Sequence, residues 1–205
     1  MKNTKLIVKT KSKSYPIYFG NNILNTTGKL IKRNLPAVKK ICIISDNKLT
    51  KLLSKKLIKS LKGYDLKVYQ LSVNEKTKNL NVANKIIEQL LKDNFNRSDC
   101  IISFGGGIVS DLSAFISSII KRGIKFINIP TTLLAQSDAS IGGKTGINST
   151  QGKNLIGTFY QPDFVLTDIS MLDSLPRKEM VCGYGEILKH SLIINRKFFL
   201  WLSKH

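Results

Sequence analysis

Between Ile41 and Ile129 the chain alternates short apolar runs with helix-length amphipathic stretches, and few folds accommodate that rhythm. Ile41–Ser45, Lys67–Leu71, Cys100–Phe104 and Lys125–Ile129 read as strands. Lys48–Lys62, Val82–Asn94 and Asp111–Ile120 read as helices, with Ile86, Ile87, Leu90 and Leu91 forming one apolar stripe. Strands alternating with helices of this length build βαβ units around a parallel sheet. The expected fold class is therefore α/β, a Rossmann-like parallel sheet flanked by helices. A small hairpin, Leu6–Lys9 with Tyr15–Phe19, precedes it. After Pro130 the rhythm stops: residues 136–154 read as a long loop or loop-helix segment, Phe164–Asp168 as a strand, and Arg177 to about Ile194 as a helix. That last helix is expected to open an all-helical second domain, giving domains of 1–175 and 176–205.

The interruptions are chemically dense. From Gly105 to Lys189, glycines in pairs and triplets are interleaved with Asp111, Arg122, Asp138, Lys144, Lys153, Asn154, Glu186 and Lys189. Glycine clusters mark backbone that turns sharply or approaches a ligand closely. Charged groups resist burial unless paired or liganded. Together they read as a site for a polar, phosphorylated small molecule. Gly105–Gly107 falls between an expected strand and an expected helix, where a pyrophosphate can lie against the leading amides. The spacing is not G-x-G-x-x-G, so a simple helix-packing turn fits it equally well.

Asp111, expected in the first helical turn, is either a cap or an acceptor for a cofactor group, and Asp46 is either a cap or a contact to an adenosine half. Glu75 and Lys78 are ambiguous in the same way. Gly142–Thr145 looks like the end of a nucleotide phosphate loop, but Asp138 occupies the position of its first glycine, which excludes that motif. Glu186 and His190 stand one helical turn apart and share a face, so both reach one metal or simply pair with each other.

The formal charge of +20 raises nucleic-acid binding, and its distribution argues against it. Residues 1–100 hold 22 basic and 6 acidic side chains, with lysines scattered along the span and no interleaved aromatic platform. Lys, Ile and Asn make up 70 residues, the bias of a genome drifting towards A and T, so solvated lysine faces are expected rather than a nucleic-acid surface. Cys42, Cys100 and Cys182 form no framework and are expected to be small core residues of a reducing compartment. No signal peptide and no membrane span is apparent, and a cytoplasmic protein without membrane partners is expected.

Taken in order, GGG-I-V-S-D, RG-x-KFINIPTTLLAQSDASIGGKTGIN, GKNLIGTFYQP, LDSLPRKE and GYGEILKH resemble the 3-dehydroquinate synthase family from about Tyr15 to Leu202. The resemblance implies NAD held by Asp46, Glu75, Lys78, Gly106, Gly107, Asp111, Thr131 and Thr132, with Ser174 and Leu175 near the nicotinamide end. It implies Asp138, Lys144, Asn154 and Lys189 as substrate or metal contacts, Lys153 beside cofactor and substrate, and Glu186 as a ligand of a divalent metal, Zn or Co. Arg122 matches an arginine that reaches the substrate phosphate of a neighbouring subunit, implying a homodimer. The implied reaction converts 3-deoxy-D-arabino-heptulosonate 7-phosphate, a sugar phosphate, to 3-dehydroquinate and phosphate.

Departures from the family pattern are Ser110 for Gly, Val73–Asn74 for Asp-Gly, Ser137 for a small apolar residue, and His190 for Tyr, so His190 is not inherited as a ligand. The family's two metal-binding histidines lie beyond residue 205, so the chain is expected to be an N-terminal portion: a truncated member, a split-gene half with a separate C-terminal chain, or a decaying copy. On that expectation it binds NAD and is inactive by itself. The alternatives are a non-catalytic NAD-binding remnant and another sugar-phosphate cyclase.

Overall fold

The structure is a computed structural model describing residues 3–204. Its strands are β1 (Thr4–Lys9), β2 (Ser14–Gly20), β3 (Lys40–Asp46), β4 (Asp65–Leu71), β5 (Cys100–Gly105), β6 (Lys125–Pro130), β7 (Ile147–Ser149), β8 (Gly152–Ile156) and β9 (Phe164–Asp168). Its α-helices are α1 (Thr27–Asn34), α2 (Lys51–Ser60), α3 (Leu80–Lys92), α4 (Gly107–Ile119), α5 (Arg177–Ile194) and α6 (Arg196–Leu202). Seven strands form one sheet in the order β1-β2-β9-β6-β5-β3-β4, and β7 pairs with β8 in a separate ribbon. β1 and β2 are antiparallel, as expected of the hairpin, and every other pairing in the large sheet is parallel.

The central parallel strands β5 and β9 and most of β3 and β6 are buried because both faces are covered, whereas the edge strand β4 is mostly exposed. Successive residues of one strand serve opposite cores: Ile41, Ile43, Ile102 and Phe104 pack with Ile31 of α1 and Leu53 and Leu57 of α2. Cys42, Ile44 and Ile101 pack instead with Ile86 and Leu90 of α3 and Leu112 and Ile116 of α4. Asn79 caps α3 by accepting from the Val82 amide at 2.9 Å, and Thr50 caps α2 from Leu53 at 3.3 Å. At the end of β9 the buried Asp168 carboxylate accepts from the amides of Asn22 and Leu24, both at 2.8 Å, and ties that strand to the loop after β2.

Five expectations change. The segment 136–154, read as a long loop or loop-helix segment, opens with a π-type turn at Ala135–Ala139 and then forms the unanticipated β7–β8 ribbon. Helix α1, eight residues long with Gly28 in its first turn, was not anticipated; α6 was not anticipated either. α4 begins at Gly107 rather than Asp111, which moves Asp111 out of the first turn and ends its reading as a cap. Cys42 and Cys100 are buried as expected, whereas Cys182 on α5 is exposed. Among the described residues no helix is long and apolar enough to cross a membrane.

The segment that follows β6 is the seat of α5. A Cβ at Gly183 would stand 2.6 Å from both the Leu133 Cβ and the Leu134 amide nitrogen, so only glycine lets the helix lie this close. That close approach brings the face carrying Glu186 and His190 over the turn carrying Asp138.

Candidate functional site

β3 connects to β4 on one side of the sheet, and the chain then crosses back to place β5 on the other side of β3. The carboxyl ends of β3 and β5 therefore face a switch point in strand order, where open α/β sheets hold their ligands. Gly105–Gly107 leaves β5 there. Gly106 is the N-cap of α4 and supplies no side-chain hydrogen bond to the leading amides of the helix. A Cβ on Gly106 would come within 3.0 Å of the Thr132 Cγ2, so the turn and the residue after β6 pack tightly.

Two clefts meet at this edge. One, about 690 Å³, is lined by Asp111, Asp138, Gly142, Lys144, Asn154 and Phe159 among others. The other, about 620 Å³, includes Glu75, Lys78, Asn148 and Lys153 in its lining. Lys78 joins them: its ammonium, only 5% exposed, donates to the Asp111 carboxylate and to Asn154 Oδ1. Burial pushes the Asp111 carboxyl above its ordinary range; the Lys78 ammonium pulls it back down, and the negative charges of Asp138 and Glu75 add to the rise. Asn154 sits in the left-handed region at φ 58°, a conformation asparagine tolerates better than most residues. The β7–β8 ribbon presents it, its amide donating to Asn148 Oδ1 at 3.0 Å. Lys153 lies 3.9 Å from the Glu75 carboxylate and is 70% exposed, free to meet an anion.

A third cluster lies between the π-type turn and α5. One donor atom each from Asp138, Glu186 and His190 fall within 4.8 Å of one another. Glu186 Oε1 is 3.2 Å from His190 Nε2 and also meets the Lys189 ammonium. Contact with this carboxylate raises the Lys189 pKa.

The sequence-derived set is thus brought together in part. Glu75, Lys78, Asp111, Asp138, Lys144, Lys153 and Asn154 line the joined clefts. Thr132 stands against Gly106, and the buried Thr131 donates its amide to the Gly105 carbonyl at 2.9 Å. Asp46, Gly106, Gly107, Arg122, Thr131, Thr132, Ser174, Leu175, Glu186 and Lys189 line neither cleft. Asp46 accepts from the Lys48 amide at 2.9 Å, a local turn. Arg122 belongs to a kinked turn in which Lys121, Arg122 and Gly123 all have positive φ.

Two residues not singled out beforehand serve the site. Asn148 Nδ2 donates to Glu75 Oε1 at 2.8 Å, and Gln136 Nε2 reaches the carbonyls of Pro130 and Asp168 at 3.2 and 3.1 Å. Both fall inside the quoted KTGIN and LLAQSD strings, but polar residues in a glycine-rich run carry no periodic signal that separates scaffold from site.

The doubly covered, mostly parallel sheet with its glycine turn at the switch point defines a Rossmann-like α/β protein. The solved structure of 2-deoxy-scyllo-inosose synthase in complex with carbaglucose-6-phosphate, NAD+ and Co2+ superposes with a TM-score of 0.86 at 27% identity, covering 93% of this chain and 52% of that one. The 2-epi-5-epi-valiolone synthase of Streptomyces hygroscopicus, solved with NAD+ and Zn2+, shares the fold with a TM-score of 0.81 at 24% identity, covering 94% of this chain and 53% of that one.

Residues 68–182 match the family model of the 3-dehydroquinate synthase N-terminal region, and the chain belongs to that family. The 3-dehydroquinate synthase of Pelagibacter ubique is 52% identical over 201 residues, which is 98% of this chain and 55% of that protein. That of Dictyoglomus turgidum is 44% identical over the same coverage. The chain thus spans about 55% of the length of the curated relatives it matches.

Proposed function

We propose that this chain carries the NAD-binding half and part of the substrate and metal site of a lyase that converts 3-deoxy-D-arabino-heptulosonate 7-phosphate to 3-dehydroquinate and phosphate in the cytoplasm. Carrying this reading is the clustering of Lys78, Asp111, Lys144, Lys153 and Asn154 around the clefts at the switch point. The residues fit the cofactors found in the solved cyclases. At Gly106 a Cβ would meet the Thr132 Cγ2 at 3.0 Å, so the turn stays free of side chains, and Glu186, with His190 and Asp138 beside it, presents a carboxylate that a divalent ion takes. When bound, NAD takes up and returns a hydride while a divalent ion, Zn or Co, polarises the hydroxyl being oxidised.

The chain's own residues supply the rest. The α4 amides and Gly107 hold the pyrophosphate, and Asp111, paired with Lys78, accepts from a hydroxyl or amide of the cofactor. Asp46, Glu75, Thr131, Thr132, Ser174 and Leu175 complete the assigned NAD contacts. Lys144 and Lys153 meet the anionic groups of substrate as point charges, stabilising the phosphate as it departs. Asn154 and Asp138 orient the sugar hydroxyls, and Lys189 holds a proton at Nζ beside Glu186. The division into residues 1–175 for the cofactor and 176–205 for the metal side follows the same reading.

The test is phosphate release from the heptulosonate phosphate by a fusion in which the remaining segment of a relative follows residue 205. Release that depends on NAD and added Co2+, and falls at least about 100-fold in Lys144→Ala, is expected; removing a charged hydrogen bond to a transition-state phosphate costs about 3 kcal/mol. A folded fusion that binds NAD without releasing phosphate contradicts the substrate assignment. The complex with carbaglucose-6-phosphate favours a second reading, another hexose-phosphate cyclisation, and the same assay with glucose 6-phosphate separates the two.

A homodimer with Arg122 near the partner's cleft belongs to this proposal. The three consecutive positive-φ residues at Lys121–Gly123 support it, since held strain of this kind concentrates at functional turns. Sedimentation equilibrium is expected to give a defined dimer, and Arg122→Ala is expected to leave the dimer intact while weakening inhibition by inorganic phosphate about tenfold. A monomer at high concentration removes this role.

A further inference from the structure

We propose that Asn148 is a positioning residue of the NAD site: its side-chain amide aims the Glu75 carboxylate at the cofactor and, from its other end, holds the backbone of Asn154. The inference rests on the NAD reading given under Proposed function and adds a residue that touches neither cofactor nor substrate in that reading.

The ribbon places it. Ile147 is fully buried in the core that also holds Ile44 of β3 and Ala83 and Ile86 of α3. Side chains alternate along a strand, so the next one, Asn148, turns to the cleft lined by Glu75, Lys78 and Lys153. Its backbone is pinned as well. The Asn148 amide donates to the Lys78 carbonyl at 2.7 Å, which fixes β7 against the segment leading into α3.

Both ends of the side chain are then used. Nδ2 donates to Glu75 Oε1 at 2.8 Å and to the Glu75 carbonyl at 3.1 Å, while Oδ1 accepts from the Asn154 amide at 3.0 Å. These partners dictate the orientation of the amide: turned over, Oδ1 would face a carboxylate and a carbonyl, and Nδ2 would face an N–H. Asp has the same reach without a donor, and Ala has neither group.

What each end holds matters to the site. The Glu75 side chain is 42% exposed, and the Lys153 ammonium stands 3.9 Å from Oε1, beyond hydrogen-bond distance. The Asn148 amide is therefore what gives this carboxylate a direction. At the other end Asn154 has a left-handed backbone, φ 58°, and its Oδ1 accepts from the buried Lys78 ammonium that pairs with Asp111. One amide thus ties Glu75 to the group that joins the two clefts.

Asn148→Ala and Asn148→Asp separate the two ends. Both lose the donor to Glu75, and the aspartate keeps an acceptor for the Asn154 amide. Isothermal titration of NAD into the chain is expected to show about tenfold weaker binding in both, about 1.4 kcal/mol, with circular dichroism unchanged. Amide hydrogen exchange is expected to be faster at Asn154 in Asn148→Ala and to stay at the wild-type rate in Asn148→Asp. A residue that only supported the fold would not divide the readouts in this way. In a Glu75→Ala background, adding Asn148→Ala is expected to weaken NAD binding by at most about twofold further, because the residue acts through that carboxylate.

Should Asn148→Ala fail to fold, Asn148→Ser, too short to reach Glu75, takes its place in the cycle. Equal losses in the two backgrounds, or NAD affinity indifferent to Asn148→Ala and Asn148→Asp, overturn the role of Asn148 and leave the NAD reading standing. No saturable NAD binding by the folded wild-type chain overturns both.

Discussion

Replacing Asp111 with Ala is expected to lower the melting temperature by about 6–12 °C, corresponding to roughly 3 kcal/mol for a chain of this size at 2–4 °C per kcal/mol. Its partner is the reason. Lys78 is 5% exposed, and its ammonium is held by the Asp111 carboxylate and Asn154 Oδ1. Removing the carboxylate leaves a buried cation with one neutral acceptor. Breaking a buried pair costs about 3–5 kcal/mol, and the surviving Asn154 contact places this case at the low end.

Asp111 itself gains little from being ionised: burial raises its pKa above 3.8, so the folded chain holds that proton more tightly than the unfolded one. Its contribution to stability therefore declines as pH climbs from 3.8 through the raised value. Asp111→Asn, which keeps an acceptor and sheds the desolvated charge, should fall between wild type and Asp111→Ala. The double variant Lys78→Met/Asp111→Leu should recover most of the loss, because neither charge remains to be desolvated. Differential scanning calorimetry on the four proteins checks the order; a double variant no more stable than Asp111→Ala contradicts the pairing.

Substituting Gly106 with Val is expected to reduce NAD affinity about 10- to 100-fold. The first added carbon already meets the Thr132 Cγ2 at 3.0 Å, so the branched side chain must shift that residue or turn into the cleft. Either way the pyrophosphate is held off the leading amides of α4, and forfeiting one charge-assisted hydrogen bond costs about 1.5–3 kcal/mol. Fluorescence titration with NADH reports the change, with circular dichroism confirming the fold. An unaltered affinity would place the pyrophosphate elsewhere.

The sheet was legible in the sequence because its central strands are buried on both faces: Ile41–Ser45 and Cys100–Phe104 are almost wholly apolar runs, each carrying a single buried serine. The same physics hid α1, whose stripe reduces to the buried Ile31 beside Thr27 and Gly28. The β7–β8 ribbon was hidden for a different reason. Its strands, INS and GKNLI, are short and mostly polar, and their order comes from hydrogen bonds such as Asn148 to Glu75 across 73 residues of sequence.

Within the site, Lys144 and Asp111 were readable as charged groups on a glycine frame. That Lys78 joins the clefts was not, since its partners come from α4 and β8 and only tertiary packing brings them together. His190 shows the limit most clearly. Its spacing to Glu186 was visible, and the third donor, Asp138, was in hand as a separate motif. What brings them together is the absence of a side chain at Gly183, which lets α5 settle onto the turn after β6.

The account rests on NAD occupying the carboxyl edge of the sheet between β3 and β5. Isothermal titration of NAD into the folded chain tests it directly, with Asp111→Ala and Gly106→Val alongside. One saturating site, weakened at least about tenfold in both variants, each tenfold being about 1.4 kcal/mol, is the expected result. No heat and no saturation with the wild-type chain, or binding indifferent to both substitutions, would contradict it.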